Sequence, residues 1–119
     1  MDTTLTEDTL LGGKVRLLQP RRGYRVAVDA VLLAAAVDTG PGGQVLDLGA
    51  GVGSVGLCIA ARVPGCSVIG IELQTSLHAL ARRNAELNGV DGRVSECSIS
   101  GRASARSGSA SPPVSRAAA

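Results

Sequence analysis

Between Val45 and Leu57 the chain reads V-L-D-L-G-A-G-V-G-S-V-G-L. A short apolar run stops at a cluster of glycines, and apolar residues resume at once. That pattern predicts a strand, a tight turn and a helix. Glycine permits positive φ and lets a ligand approach bare backbone. The N–H groups opening the following helix then point into the space above the strand, where they favour nucleotide-type ligands. The same glycines could also serve only to tighten a strand–helix turn.

Gly51, Gly53 and Gly56 fit the G-x-G-x-x-G fingerprint of dinucleotide-binding folds. An oxidoreductase-type NAD domain is therefore one reading. Asp47 favours another. It sits inside the strand, two residues before the first glycine, where an apolar residue would be ordinary. Burying an unpaired carboxylate is costly, so a cationic ligand group would explain it. S-adenosylmethionine carries an α-ammonium and a sulfonium; NAD offers no cation at this position.

A second apolar run, Val68-Ile69-Gly70-Ile71, ends at Glu72, 19 residues after Gly53. That is close to the roughly 20-residue spacing of a carboxylate that accepts from ribose hydroxyls. Each charge-assisted bond of this kind contributes about 1.5–3 kcal/mol. A solvated acid at a strand end is the alternative.

The elements that must hold these groups are legible in outline. Thr9 to Leu18 reads as two short strands around Gly12-Gly13. Pro20 to Gly23 is a basic loop with Arg21 and Arg22, followed by Arg25; it is either solvated surface or a contact for RNA phosphate. Asp29 precedes the apolar helix 30–37, either as its N-cap or as a group beside the ligand. Thr39-Gly40-Pro41-Gly42-Gly43 leads into the central strand. The helix after the glycine turn runs to about Arg62 and is broken by Pro64-Gly65. Ser76 is expected to cap a further helix with Leu77, Leu80, Ala81, Asn84 and Leu87 along one side, ended by Asn88-Gly89. His78 falls off that stripe and reads as a surface residue. Arg93-Val94-Ser95-Glu96 begins a third strand.

After Glu96 the pattern stops. Residues 95–119 hold eight serines, and Ile99 and Val114 are their only large aliphatics. No period of 2 or 3.6 survives, and little could offset the ordering entropy. The expected organisation is a mobile stretch 1–8, a folded unit 9–96 and a disordered Ser/Ala/Arg-rich tail 97–119. The abrupt change partway through a strand is the expected mark of a frameshift or truncation.

Bulk properties set further bounds. The 119 residues allow one small domain. Tyr24 is the only aromatic residue, so the core must be aliphatic. A net charge of +2 does not by itself indicate a nucleic-acid partner. Cys58, Cys66 and Cys97 show neither zinc nor disulfide spacing and read as free thiols of the cytoplasm. No metal site, membrane span or signal peptide is expected.

Three segments together resemble a known family: L-L-G-G-K-V from Leu10, G-Y-R-V-A-V-D-A-V-L-L-A from Gly23, and V-L-D-L-G-A-G-V-G from Val45. In this order the chain looks like the amino-terminal part of bacterial tRNA (adenine-N6)-methyltransferases. These belong to a wider group with small-domain rRNA and release-factor methyltransferases. R-R-N-A-E-L-N-G from Arg82 resembles the same group, and the likeness covers roughly residues 9–96. It implies an α/β fold, the Rossmann-like class I methyltransferase fold, here cut to about three parallel strands with helices behind a short β-hairpin. It implies S-adenosylmethionine as cofactor and a tRNA substrate methylated at adenine N6. Carried over by position, Asp47, Gly49 and Gly51 contact the cofactor's methionine part, Glu72 its ribose and Asp29 its amino-acid end, with Ala50, Gly53 and Leu73 alongside. Arg21, Arg22 and Arg25 are the candidates for substrate RNA.

The family's catalytic signature is Asn-Pro-Pro followed by an aromatic residue. Its carbonyls accept the amine N–H groups and its ring holds the base flat. The nearest string here is Ser111-Pro112-Pro113-Val114, which lacks the Asn and the aromatic. No catalytic residue is assigned, and no methyl transfer is expected from these 119 residues alone. A non-catalytic RNA-binding or inert fragment is the remaining reading.

Overall fold

A computed structural model of the chain describes residues 4–23, 25–26 and 28–98. Of the expected tail 97–119, Cys97 instead closes the last strand, paired with Ile71, and residues 99–119 lie outside the described residues.

Strands β1 (Leu5–Leu10) and β2 (Val15–Pro20) form an antiparallel hairpin, with Leu10 opposite Val15 across a 3-10 turn at Leu11–Gly13. The strand begins at Leu5, so residues 5–8 belong to the folded unit that sequence reading started at residue 9. The reason is polar. Thr6 Oγ1 donates to Asp8, and Asp8 also accepts from Gln19 Nε2 and from Arg25. No apolar alternation advertises this strand. In β2, by contrast, Val15, Leu17 and Gln19 face inward in strict alternation.

Helix α1 (Val28–Ala36) follows, then β3 (Gln44–Leu48), α2 (Ser54–Arg62), β4 (Ser67–Ile71), α3 (Thr75–Leu87) and β5 (Val94–Cys97). The last three strands make one parallel sheet in the order β3-β4-β5. Helices α2 and α3 are the crossovers that its two parallel pairs require, while α1 links the hairpin to the sheet. This is the α/β architecture expected, with three parallel strands behind a hairpin.

The sheet is covered on one side. Val45, Val68 and Val94 are buried against Leu57, Ile59, Cys58 and Leu80. Alternate residues Leu46, Leu48, Ile69 and Ile71 face the other side and are only half-buried or, at Leu48, exposed. Helix α2 lies close to the sheet because Gly56 has no side chain: a Cβ there would meet Val68 Cγ1 at 3.1 Å. That accounts for the third glycine of the fingerprint. Arg62 fastens α1 to α2 by donating from Nη2 to the carbonyls of Ala34 and Val37. Among the described residues, no helix is long and apolar enough to cross a membrane.

Two helix starts differ from expectation. Asp29 lies within the first turn of α1 and not at its cap. Thr75 opens α3, with Gln74 as N-cap and Ser76 one residue inside. Both shifts are of the size by which helix ends escape sequence reading.

Candidate functional site

The site is built where β3 runs into the glycine turn. Gly49, Gly51 and Gly53 take φ of 72°, 58° and 89°, the left-handed region that side chains disfavour. The turn is clamped to the end of β4: the N–H groups of Gly49 and Ala50 both donate to Ile71 O, at 2.8 and 2.9 Å. Above Gly49 and Gly51 the space is open, so their backbone faces the cleft. Gly53 is the N-cap of α2 and supplies no capping side chain, which leaves the first-turn N–H groups without intrahelical partners.

Glu72 holds the turn from below. It is buried, and its two oxygens accept from Gly51 N–H at 2.9 Å and Gln74 N–H at 2.8 Å. It thus ties the glycine turn to the start of α3. Each oxygen keeps a second lone pair for a further donor.

Asp47, Gly70 and Glu96 stand opposite one another across the three strands. Gly70 has no side chain, and the Glu96 carboxylate leans into that gap, where any Cβ would collide with it. Asp47 is 4% exposed and accepts no hydrogen bond from the described residues. Burial, and then the charge of Glu72, push its carboxyl up to about 6. Burial, and then the charges of Asp47 and Glu72, push Glu96 up to about 7. Glu96 Oε2 is buried with no hydrogen-bond partner among the described residues. Three acids thus crowd one end of the sheet, and among the described residues no cation pairs with them.

A cleft of about 650 Å³ opens beside this cluster, within the range of small-ligand sites. Of the residues singled out in the sequence, Arg22, Asp29, Asp47, Gly49, Ala50 and Gly51 line it. Gly53 lies under the turn, facing Ala81 and Glu96. Glu72 lies behind the wall on its backbone bonds, and Leu73 is 69% exposed outside it. Arg21 is exposed on the adjoining loop. Arg25 is committed to the hairpin: it pairs with Asp8 at 2.9 Å and donates to Thr6 Oγ1 and the carbonyls of Pro20 and Arg21.

Sequence reading passed over three groups near the site. Glu96 read as an ordinary strand residue. His78 is half-buried, not a surface residue, with Nε2 3.2 Å from Glu96 O. Asn84 read as part of an apolar stripe, yet it is fully buried and donates to the carbonyls of Leu18 and Val52. A polar residue on the inward side of an amphipathic helix was the available signal.

The family model of the methyltransferase small domain matches residues 24–107. The chain belongs to the methyltransferase small domain family. A release factor glutamine methyltransferase of Chlorobaculum tepidum is 30% identical over 82 residues, covering 66% of this chain and 28% of the relative. A tRNA1(Val) (adenine(37)-N6)-methyltransferase of Porphyromonas gingivalis is 36% identical over 74 residues, 59% of this chain and 29% of the relative. Among solved structures, a SAM-dependent methyltransferase from Thiobacillus denitrificans in complex with S-adenosyl-L-homocysteine aligns with a TM-score of 0.51 and 37% identity, over 60% of this chain and 29% of that one. This small-domain chain thus spans under a third of the length of these relatives. The family uses S-adenosylmethionine, and the NAD reading is not favoured.

Proposed function

We propose that the cleft beside the glycine turn is the S-adenosylmethionine site and that the chain is the cofactor-binding part of a methyltransferase. The observation that carries this reading is Asp47, a buried carboxylate at the cleft with no hydrogen-bond donor among the described residues. Such a group is costly unless a positive ligand meets it. The fit extends to its neighbours. Gly49, Ala50 and Gly51 present bare backbone to the methionine part, and Asp29 lines the same cleft from α1. Glu72 stands behind the wall, where it braces the turn through Gly51 and Gln74 and keeps a lone pair on each oxygen for a ribose hydroxyl. When bound, the cofactor supplies an electrophilic methyl on a sulfonium. The chain's own residues bind and orient; Asp47 and Asp29 offer negative charge, and the glycine turn fixes the distance.

For the substrate, the G-Y-R-V-A-V-D-A-V-L-L-A segment and the Porphyromonas gingivalis relative support tRNA adenine N6. On this reading phosphate meets Arg22, which lines the cleft, and Arg21, exposed on the adjoining loop. The Chlorobaculum tepidum relative supports a second reading, a protein glutamine. Both targets are planar nitrogens whose lone pair is delocalised, so both need acceptors that the Asn-Pro-Pro-aromatic signature would provide.

Titration of the chain with S-adenosylmethionine, S-adenosylhomocysteine and NADH, followed by amide NMR, tests the cofactor. The two methionine-derived ligands should shift resonances from Asp47 to Gly53, and NADH should not. Binding of NADH alone would overturn the reading. Radiolabelled methyl should not pass to tRNA or to a release factor from these 119 residues; transfer would show that the acceptor groups lie elsewhere than in the missing signature.

A further inference from the structure

Helix α3 meets the hairpin through two asparagines one helical turn apart. Arg16 and Leu18 turn their backbone groups to the outer edge of β2, and an unpaired edge needs partners. Asn84 supplies them at Leu18: Oδ1 accepts from its N–H at 2.8 Å, and Nδ2 donates to its carbonyl at 2.9 Å. Asn88 does the same at Arg16, at 2.8 and 2.7 Å. The side-chain amides therefore stand in for a third hairpin strand.

Asn84 does one thing more. Its Nδ2 also donates to Val52 O at 2.9 Å, in the middle of the glycine turn. Asn88 reaches no residue of that turn and spends its remaining bond on Asn84 O. Asn84 is wholly buried, so these bonds have no water to replace them. The hairpin that ends at Pro20, on the rim of the cleft, is thus joined to the turn that forms its floor.

We propose that Asn84 is a positioning residue for the cofactor turn, acting through Val52 O, and that it couples the seating of the hairpin to the shape of the cleft. This rests on the reading of the cleft as the S-adenosylmethionine site. Asn88 is the internal control, since it seats the same hairpin without touching the turn.

The test compares Asn84→Ala and Asn88→Ala in the full chain, by amide hydrogen exchange without ligand and by S-adenosylhomocysteine titration. Both variants should lose protection at the β2 edge. Only Asn84→Ala should lose protection at Gly53, whose N–H donates to Ala50 O across the turn. Only Asn84→Ala should bind the ligand on the order of tenfold more weakly. Unchanged Gly53 exchange in a folded Asn84→Ala, or equal effects of the two variants, overturns the proposal. If the parent chain binds no ligand, the cofactor reading fails while the exchange result still decides the role of Asn84. Should Asn84→Ala not fold, the parent chain serves: the Leu18 and Gly53 amides should open together with the same urea dependence, and separate openings overturn the coupling.

Discussion

Asn at position 47 should make the chain more stable and a poorer binder at once. Asp47→Asn keeps the side chain's shape and removes its charge. In the folded chain the carboxyl is raised to about 6, from an ordinary value of 3.8. Between those two values the folded chain holds a proton that the unfolded chain has released. Stability contributed by this group is therefore whole below pH 4 and falls as the pH rises to about 6. A displacement of about two pH units corresponds to about 3 kcal/mol. Urea unfolding followed by circular dichroism, at half-unit steps from pH 4 to pH 8, measures this. The variant should match the parent near pH 4 and exceed it by up to about 3 kcal/mol at pH 7. At pH 7.5 it should bind S-adenosylmethionine at least about tenfold more weakly, one charge-assisted interaction being lost. A variant less stable than the parent at pH 7, or a gap that ignores pH, would refute the reasoning.

Three further outcomes follow from the same geometry. Glu96→Gln should flatten part of the remaining stability loss between pH 5 and pH 7, because Glu96 is raised to about 7 by burial and by its acidic neighbours; an unchanged profile in the same urea series contradicts this. Gly53→Ala places a Cβ at φ 89° and 3.4 Å from the Ala81 methyl, and should cost about 1–3 kcal/mol in urea unfolding. Arg25→Met removes the ion pair to Asp8 and the bonds to Thr6, Pro20 and Arg21. It should cost about 1 kcal/mol and raise amide exchange in β1 and β2 while leaving β4 protected.

The parallel core was legible because its signals are local. Val45 to Leu48 and Val68 to Ile71 are short apolar runs, and each ends where the backbone must turn. Asp47 stood out because a carboxylate interrupts such a run, and the structure buries it beside the cleft. What escaped were features set by partners distant in sequence. Strand β1 carries no apolar alternation that marks it, and its polar residues are explained only by Gln19 and Arg25. Asn84 gives no local sign that its amide serves both Leu18 and Val52. Glu96 becomes unusual only once Gly70 is its neighbour across the sheet. Local pattern thus located the cleft's floor, while the hydrogen bonds that brace it could be found only in three dimensions.

The hairpin's seat on α3 also bears on the order in which the molecule assembles. The bonds joining it there connect residues 66 and 72 positions apart, whereas β3, α2 and β4 follow one another directly along the chain. Closing a long loop carries an entropy cost that short connections avoid, and such contacts form slowly. During synthesis the edge of β2 therefore keeps its backbone groups open until the ribosome has released the last turns of α3, and a nascent chain halted before Asn84 can rest its hairpin on α2 but lacks the asparagine clamp.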